Sequence, residues 1–249
     1  WELEFLRLLF AFGVYKTMPE LGQFYETPAV RNGFEQFVDL TFLSNEGVYP
    51  PLKTVLIAAL AVYAAGFLLP VVLPVILVIH VMVRTLFNSQ GWTHHGVQMV
   101  SLVLLAQTII VLTFAIYRLV KQRPFPLTEG RTMGSYFLFY SQMAVISIYV
   151  VSVVSKVDRS DGQWFGKSHY IGLHVVKAER DRYYAKLEPP APGDVPAARA
   201  MLAHPNVTRV FLGLGVLLEL FAFVALYSRG AALLVALGLI GFHRVIALL

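Results

Sequence analysis

Seven apolar stretches, broken by short polar segments and one long one, set the pattern of the chain: 5–18, 52–69, 71–87, 95–119, 136–156, 209–227 and 231–249. A helix needs about 20 mostly apolar residues to cross a hydrocarbon core about 30 Å thick. The pattern therefore predicts about seven membrane spans, the first of them short. Pro70 and Pro74 interrupt the apolar run between the second and third spans. A helix continuing through them would lose backbone hydrogen bonds and clash with its preceding turn, so they predict a tight turn there.

The long break, 157–207, predicts an extramembrane or interfacial segment. Its GKSHYIGLHVVKAERDRYYAKL stretch mixes aromatic, aliphatic and basic residues and predicts an amphipathic helix at the interface. EPPAPGDVP follows, and its prolines make it a connector. Asn206-Val207-Thr208 has the glycosylation pattern but abuts a predicted span, so it reads as chance. The predicted fold class is all-α: a polytopic transmembrane helical bundle of about seven spans, a single domain over 1–249 with 157–207 as its extramembrane or interfacial part.

Composition agrees and excludes a soluble domain: 57% of the 249 residues are hydrophobic, 14% are charged, and the mean hydropathy is +0.65. The absence of cysteine rules out disulfides, thiolate catalysis and cysteine-ligated metals. No signal-peptide pattern opens the chain. Trp1 at one end and an apolar run at the other predict that both ends are trimmed. There is no internal repeat and no nucleotide-binding glycine loop, and no nucleic-acid partner is predicted; the lipid bilayer is the predicted partner.

The formal charge of +5 is informative through its placement. With alternating spans, one side carries Arg118, Lys121, Arg123, Arg131 and the turn at Arg229, opposed by Glu129. The other carries Glu20, Glu26, Glu35, Asp39 and Glu46, which outweigh Arg31, together with the NSQGWTHHG turn and the long segment. Basic flanks mark the cytoplasmic side, so the second side is predicted to be extracytoplasmic.

Ionisable groups within spans are costly and are candidates for function. At the outer face Lys156 ends the fifth span, and Trp92, His94 and His95 sit where the fourth begins. Nearer mid-depth lie His80, Gln107, Glu219 and His243, roughly 15–20 Å into their spans at about 1.5 Å per residue.

Lys156 reads in two ways. Its stem can lie along the apolar boundary while the ammonium reaches water. Alternatively it sits in an apolar pocket, where desolvation favours a neutral amine able to take a proton. Tyr149, seven residues earlier, shares its helix face. His94 and His95 are adjacent and point in different directions, so they make a poor two-ligand site and no metal is predicted. They read as interfacial hydrogen-bonding groups, or as a general acid or substrate donor. Glu219 must be protonated or paired, with His80, His243 or Arg84 as partner. Gln107 and Gln142 read as interhelical hydrogen bonds.

The motifs resemble those of a known family. QGWTHHG looks like the tryptophan and histidine turn of the vitamin K-dependent γ-glutamyl carboxylases and the wider HTTM membrane family, and YVVSVVSKVD is similar to the span carrying their catalytic lysine. LLELFAF followed by Phe242-His243 resembles a further pair of spans, with Glu219 where the family pattern has Asp. The similarity runs from about residue 50 to the end, and the lysine motif is its most specific part.

The resemblance implies that Lys156 deprotonates a vitamin K hydroquinone, that His95 is the functional histidine, and that Trp92 and Tyr149 line the quinone site, with His94 beside them. It implies O2 and CO2 as co-substrates and a peptide or protein Glu as acceptor. In that chemistry the deprotonated hydroquinone and O2 generate the strong base that removes the Glu γ-proton; CO2 adds, and the quinone leaves as its epoxide. A lysine, with an ordinary pKa of about 10, could not remove such a proton directly.

Two other classes stay open on the sequence. One is a non-catalytic membrane subunit or partner protein with a snorkelling Lys156. The other is a small proton-coupled transporter that uses Glu219, His80 and His243 as a relay.

Overall fold

A computed structural model describes residues 2–24, 33–89, 95–122, 124, 127, 132–186 and 195–247. Among them every regular element is helical. The chain divides into two compact units, Trp1–Val145 and Ile146–Leu249.

In the first unit α1 (Glu2–Lys16) is followed by short 3₁₀ turns at Leu21–Gln23, Gly33–Gln36 and Thr41–Ser44, then by α2 (Tyr49–Ala65), α3 (Leu69–Ser89) and α4 (His95–Lys121). The helix α5 (Met133–Asp158) begins in this unit and ends in the second. Leu56, Leu60 and Tyr63 of α2 pack with Leu73, Ile76 and Val83 of α3 and with Leu104 and Val111 of α4 to form the core. A polar chain crosses it: Tyr63 Oη donates to Gln107 Oε1 at 3.0 Å, and Gln107 Nε2 donates to Ser141 Oγ at 3.1 Å. Gln107 is thus the interhelical bridge its position predicts. Gln142, by contrast, is exposed and makes no such bond among the described residues.

Among the described residues five helical stretches are long and apolar enough to cross a membrane: Leu69–Ser89, Gly96–Lys121, Met133–Asp158, Pro205–Leu226 and Arg229–Ile246. Their apolar side chains remain extensively exposed, as at Leu234 (73%) and Leu237 (58%) of the last, which fits an integral membrane protein rather than a water-facing surface. By length and composition, five of the seven expected spans are matched among the described residues. The other two expected spans correspond to α1, whose described part has 15 residues, and to α2, a shorter apolar helix of 17 residues.

The turn expected at Pro70 and Pro74 lies just before them. Gly66 caps α2 with φ +81°, Leu68 follows at φ 47°, and α3 starts at Leu69. Pro70 falls in the first turn of α3, where its missing N–H would have no intrahelical partner. Pro74 is inside the helix, one turn later, and removes a single bond. Gly66 is required there: a Cβ would stand 2.7 Å from both terminal nitrogens of Arg7, on a backbone L-residues avoid. Gly66→Ala should therefore cost about 1–3 kcal/mol, measured as a lower unfolding midpoint in detergent.

In the second unit, α5 is followed by α6 (Trp164–Lys167), a 3₁₀ turn at Ser168–Tyr170, α7 (Ile171–Lys186), α8 (Pro196–Ala203), α9 (Pro205–Leu220), a 3₁₀ stretch Phe221–Leu226 and α10 (Arg229–Ala247). The amphipathic helix expected in 157–207 is helical, but its polarity is divided along its length rather than around it. Ile171, Leu173, Val175 and Val176 lie at the start of α7, and the charged residues Lys177, Glu179, Arg180, Asp181 and Arg182 follow them.

Candidate functional site

Two intramembrane residues 63 positions apart meet in the second unit. Lys156 Nζ, in the last turn of α5, donates to Glu219 Oε2, near the end of α9, at 2.5 Å. The Glu219 side chain is 7% exposed and that of Lys156 is 30% exposed. The pair is therefore sheltered on the carboxylate side and open on the amine side.

The chain after α5 explains how they reach one level. Asp161 and Gly162, both at positive φ, reverse the backbone, and Trp164 returns over the lysine with its ring 5.9 Å from Nζ. Phe165 then docks on α9, where its ring fills the place of a missing side chain at Gly213; a Cβ there would be 2.2 Å away. Gly213 is six residues, or about 9 Å, before Glu219 on the helix. The segment that follows α5 thus packs on α9 at Gly213, and Glu219, further along the same helix, meets the lysine.

The rest of the site is aromatic. Tyr149, two turns before Lys156 on α5, meets the His243 ring edge-on with centroids 5.9 Å apart. His243 Nδ1 donates to the Leu239 carbonyl at 2.8 Å, which fixes the orientation of the ring. Phe242 packs against Phe211 of α9 and closes on Gly215. Beneath this layer Ile146, Ala222 and Leu239 are buried together.

Of the remaining predicted residues, those described belong to the first unit. His80, on α3 in the first unit, is fully buried, with Thr17 Oγ1 3.0 Å from Nε2 and Ser101 Oγ 3.0 Å from Nδ1. Arg84, one turn on, donates from Nη1 to the Thr17 carbonyl at 2.9 Å. His95 opens α4. Trp92 and His94 lie outside the described residues.

The expected partners of Glu219 were His80, His243 or Arg84, and the observed partner is Lys156. Counting depth from the edges of apolar runs placed the two residues at different levels, and the structure brings them together. The sequence signals were two glycines in an otherwise apolar span, Gly213 for the approach of Phe165 and Gly215 for that of Phe242. Such glycines mark close approach by another element.

The pair can hold and move one proton. As ammonium and carboxylate it is neutral overall, which limits its cost in a low-dielectric setting. Passing the proton from Nζ to Oε2 leaves a free amine on the exposed side. Among the described residues no group of three or more His, Asp or Glu side chains could hold a metal ion. No protein-family model, no curated protein and no solved structure matches the chain.

Proposed function

We propose that this chain is a multi-pass membrane enzyme of hydroquinone and O2 chemistry, with Lys156 as the base and Glu219 as its proton partner. The observation that carries this reading is the lysine–carboxylate pair within apolar, membrane-length helices, sheltered at Glu219 and open at Lys156. A basic amine beneath an indole ring, with a phenol and an imidazole on the same unit, suits a flat, lipid-soluble diol. The hydroquinone, when bound, would supply the reducing equivalents for O2. In this proposal Nζ first passes its own proton to Glu219 Oε2, and the free amine then takes the proton of a hydroquinone hydroxyl, so that the pair ends as ammonium and carboxylic acid beside the deprotonated diol.

The sequence resemblance to the vitamin K-dependent γ-glutamyl carboxylases supplies the rest of the proposal: vitamin K hydroquinone or a related quinol, CO2, and a peptide or protein Glu as acceptor. It also gives His95, His94 and Trp92 their places around the quinol. By the distribution of basic residues, the face bearing Lys156 is extracytoplasmic.

The alternatives have less support. A relay through His80 is not favoured, because hydroxyls take both of its ring nitrogens within the first unit. A snorkelling lysine would send its ammonium to water, whereas Nζ rests on Glu219.

The test is oxygen-dependent conversion of vitamin K hydroquinone to its epoxide by the purified protein in lipid, with a glutamate-containing peptide and CO2 present. Lys156→Ala should lower the rate about 10²–10⁴-fold, the usual contribution of a positioned base. Equal rates in both proteins, or no product from wild type with a range of quinols, would overturn the proposal.

A further inference from the structure

At the end of the first unit where α2 turns into α3, a cavity of about 810 Å³ opens between that turn and the end of α4. Leu68, Leu69, Val111, Phe114, Leu119 and Met133 give it an apolar lining, and Arg118 and Gln122 supply polar groups. Its volume is within the range of about 300–1,000 Å³ typical of ligand pockets.

Arg118 stands in the last turn of α4, exposed, and makes no hydrogen bond or ion pair with any described residue. A second guanidinium lies under the cavity wall. Arg7 is 8% exposed, packs directly beneath Gly66, and its buried Nε has no hydrogen-bond partner. Glu4, 3.5 Å from Arg7 Nη2, offsets part of that charge. Among the described residues the cavity therefore combines an apolar interior with the unpaired guanidinium of Arg118 at one end of the membrane-length helices.

We infer that this cavity holds one anionic phospholipid, with an acyl chain against the apolar wall and the phosphate on Arg118. A zwitterionic lipid could fill the same apolar volume, but its own positive group would oppose the guanidinium. A free anion would leave the apolar wall unoccupied. The matching chemistry is a negatively charged headgroup joined to a hydrocarbon chain, and basic pockets between membrane helices recognise such lipids.

The purified protein in neutral detergent, offered equal amounts of phosphatidylglycerol and phosphatidylcholine, is read by native mass spectrometry. Wild type should retain one phosphatidylglycerol about fivefold in preference to phosphatidylcholine, the difference expected from one basic contact near the membrane surface. Arg118→Gln should bring the ratio near one, with phosphatidylcholine retention unchanged. Ala115→Phe fills the cavity and should lower retention of both lipids. Lys121→Gln, at the helix end but outside the cavity, should leave the preference in place. Circular dichroism confirms that each variant is helical. Equal retention of the two lipids by wild type would overturn the inference, as would a preference that survives Arg118→Gln or is lost equally in Lys121→Gln.

Discussion

Glu219→Leu lowers the stability of the second unit by about 3 kcal/mol, the low end of the range for breaking a buried ion pair. The low end applies because the Lys156 side chain is 30% exposed and its ammonium can swing outward once the carboxylate is gone. Lys156→Met costs less, about 1–2 kcal/mol, since the carboxyl left behind can take up a proton and become neutral. Combining the two substitutions removes both charges and should restore stability to near that of wild type. Trp164 offers a local readout: its ring lies 5.9 Å from Nζ, so its fluorescence should change with the single variants and report unfolding. Additive losses in the double variant would mean that the two groups are not coupled.

A second large effect is expected at Gly215. A Cβ added there would stand 1.9 Å from the Phe242 ring, which is held between Phe211 and the neighbouring His243. The ring is half-buried and flanked on two sides, so α9 and α10 must separate or the ring must leave its place. Gly215→Val should cost about 3 kcal/mol, the upper end for overpacking, and displace His243 from Tyr149. Gly213→Ala makes a similar first contact, at 2.2 Å from the Phe165 ring, but Phe165 is 50% exposed and can swing aside at lower cost. Phe242→Ala placed on top of Gly215→Val should recover most of the loss by making room. Thermal unfolding in lipid-like detergent measures both, and equal losses at Gly213 and Gly215 would contradict the difference in packing.

The apolar pattern was enough to locate every long helix, because burial in lipid demands continuous hydrophobicity and nothing else in the chain supplies it. It was less able to set lengths. The α2 helix starts at Tyr49, whose Oη donates to the Pro19 carbonyl at 2.5 Å, and ends at Gly66 with its positive φ. Neither end follows hydropathy. Pro70 and Pro74 looked like the break because proline is the strongest breaker in a helix interior. In the first turns of α3 it is tolerated, and the left-handed cap at Gly66 makes the turn.

Lys156 and Glu219 were legible as individual candidates, each being an ionisable group in an apolar run. Their pairing was not, since it depends on the return of Trp164 and Phe165 over α9, a contact that no periodicity encodes. The 3₁₀ stretch Phe221–Leu226, immediately after Glu219, was equally hidden. FAFVAL reads as an ordinary apolar helix, and runs of 3₁₀ longer than three or four residues are uncommon.

The most direct measurement of the pair's role is oxygen-dependent epoxide formation from vitamin K hydroquinone by the Lys156→Met/Glu219→Leu double variant, beside wild type in the same lipid. The double variant should melt close to wild type and make no epoxide, because the apolar pair preserves packing and removes the base. Epoxide formation at the wild-type rate by this folded variant would contradict a catalytic role for Lys156 and Glu219.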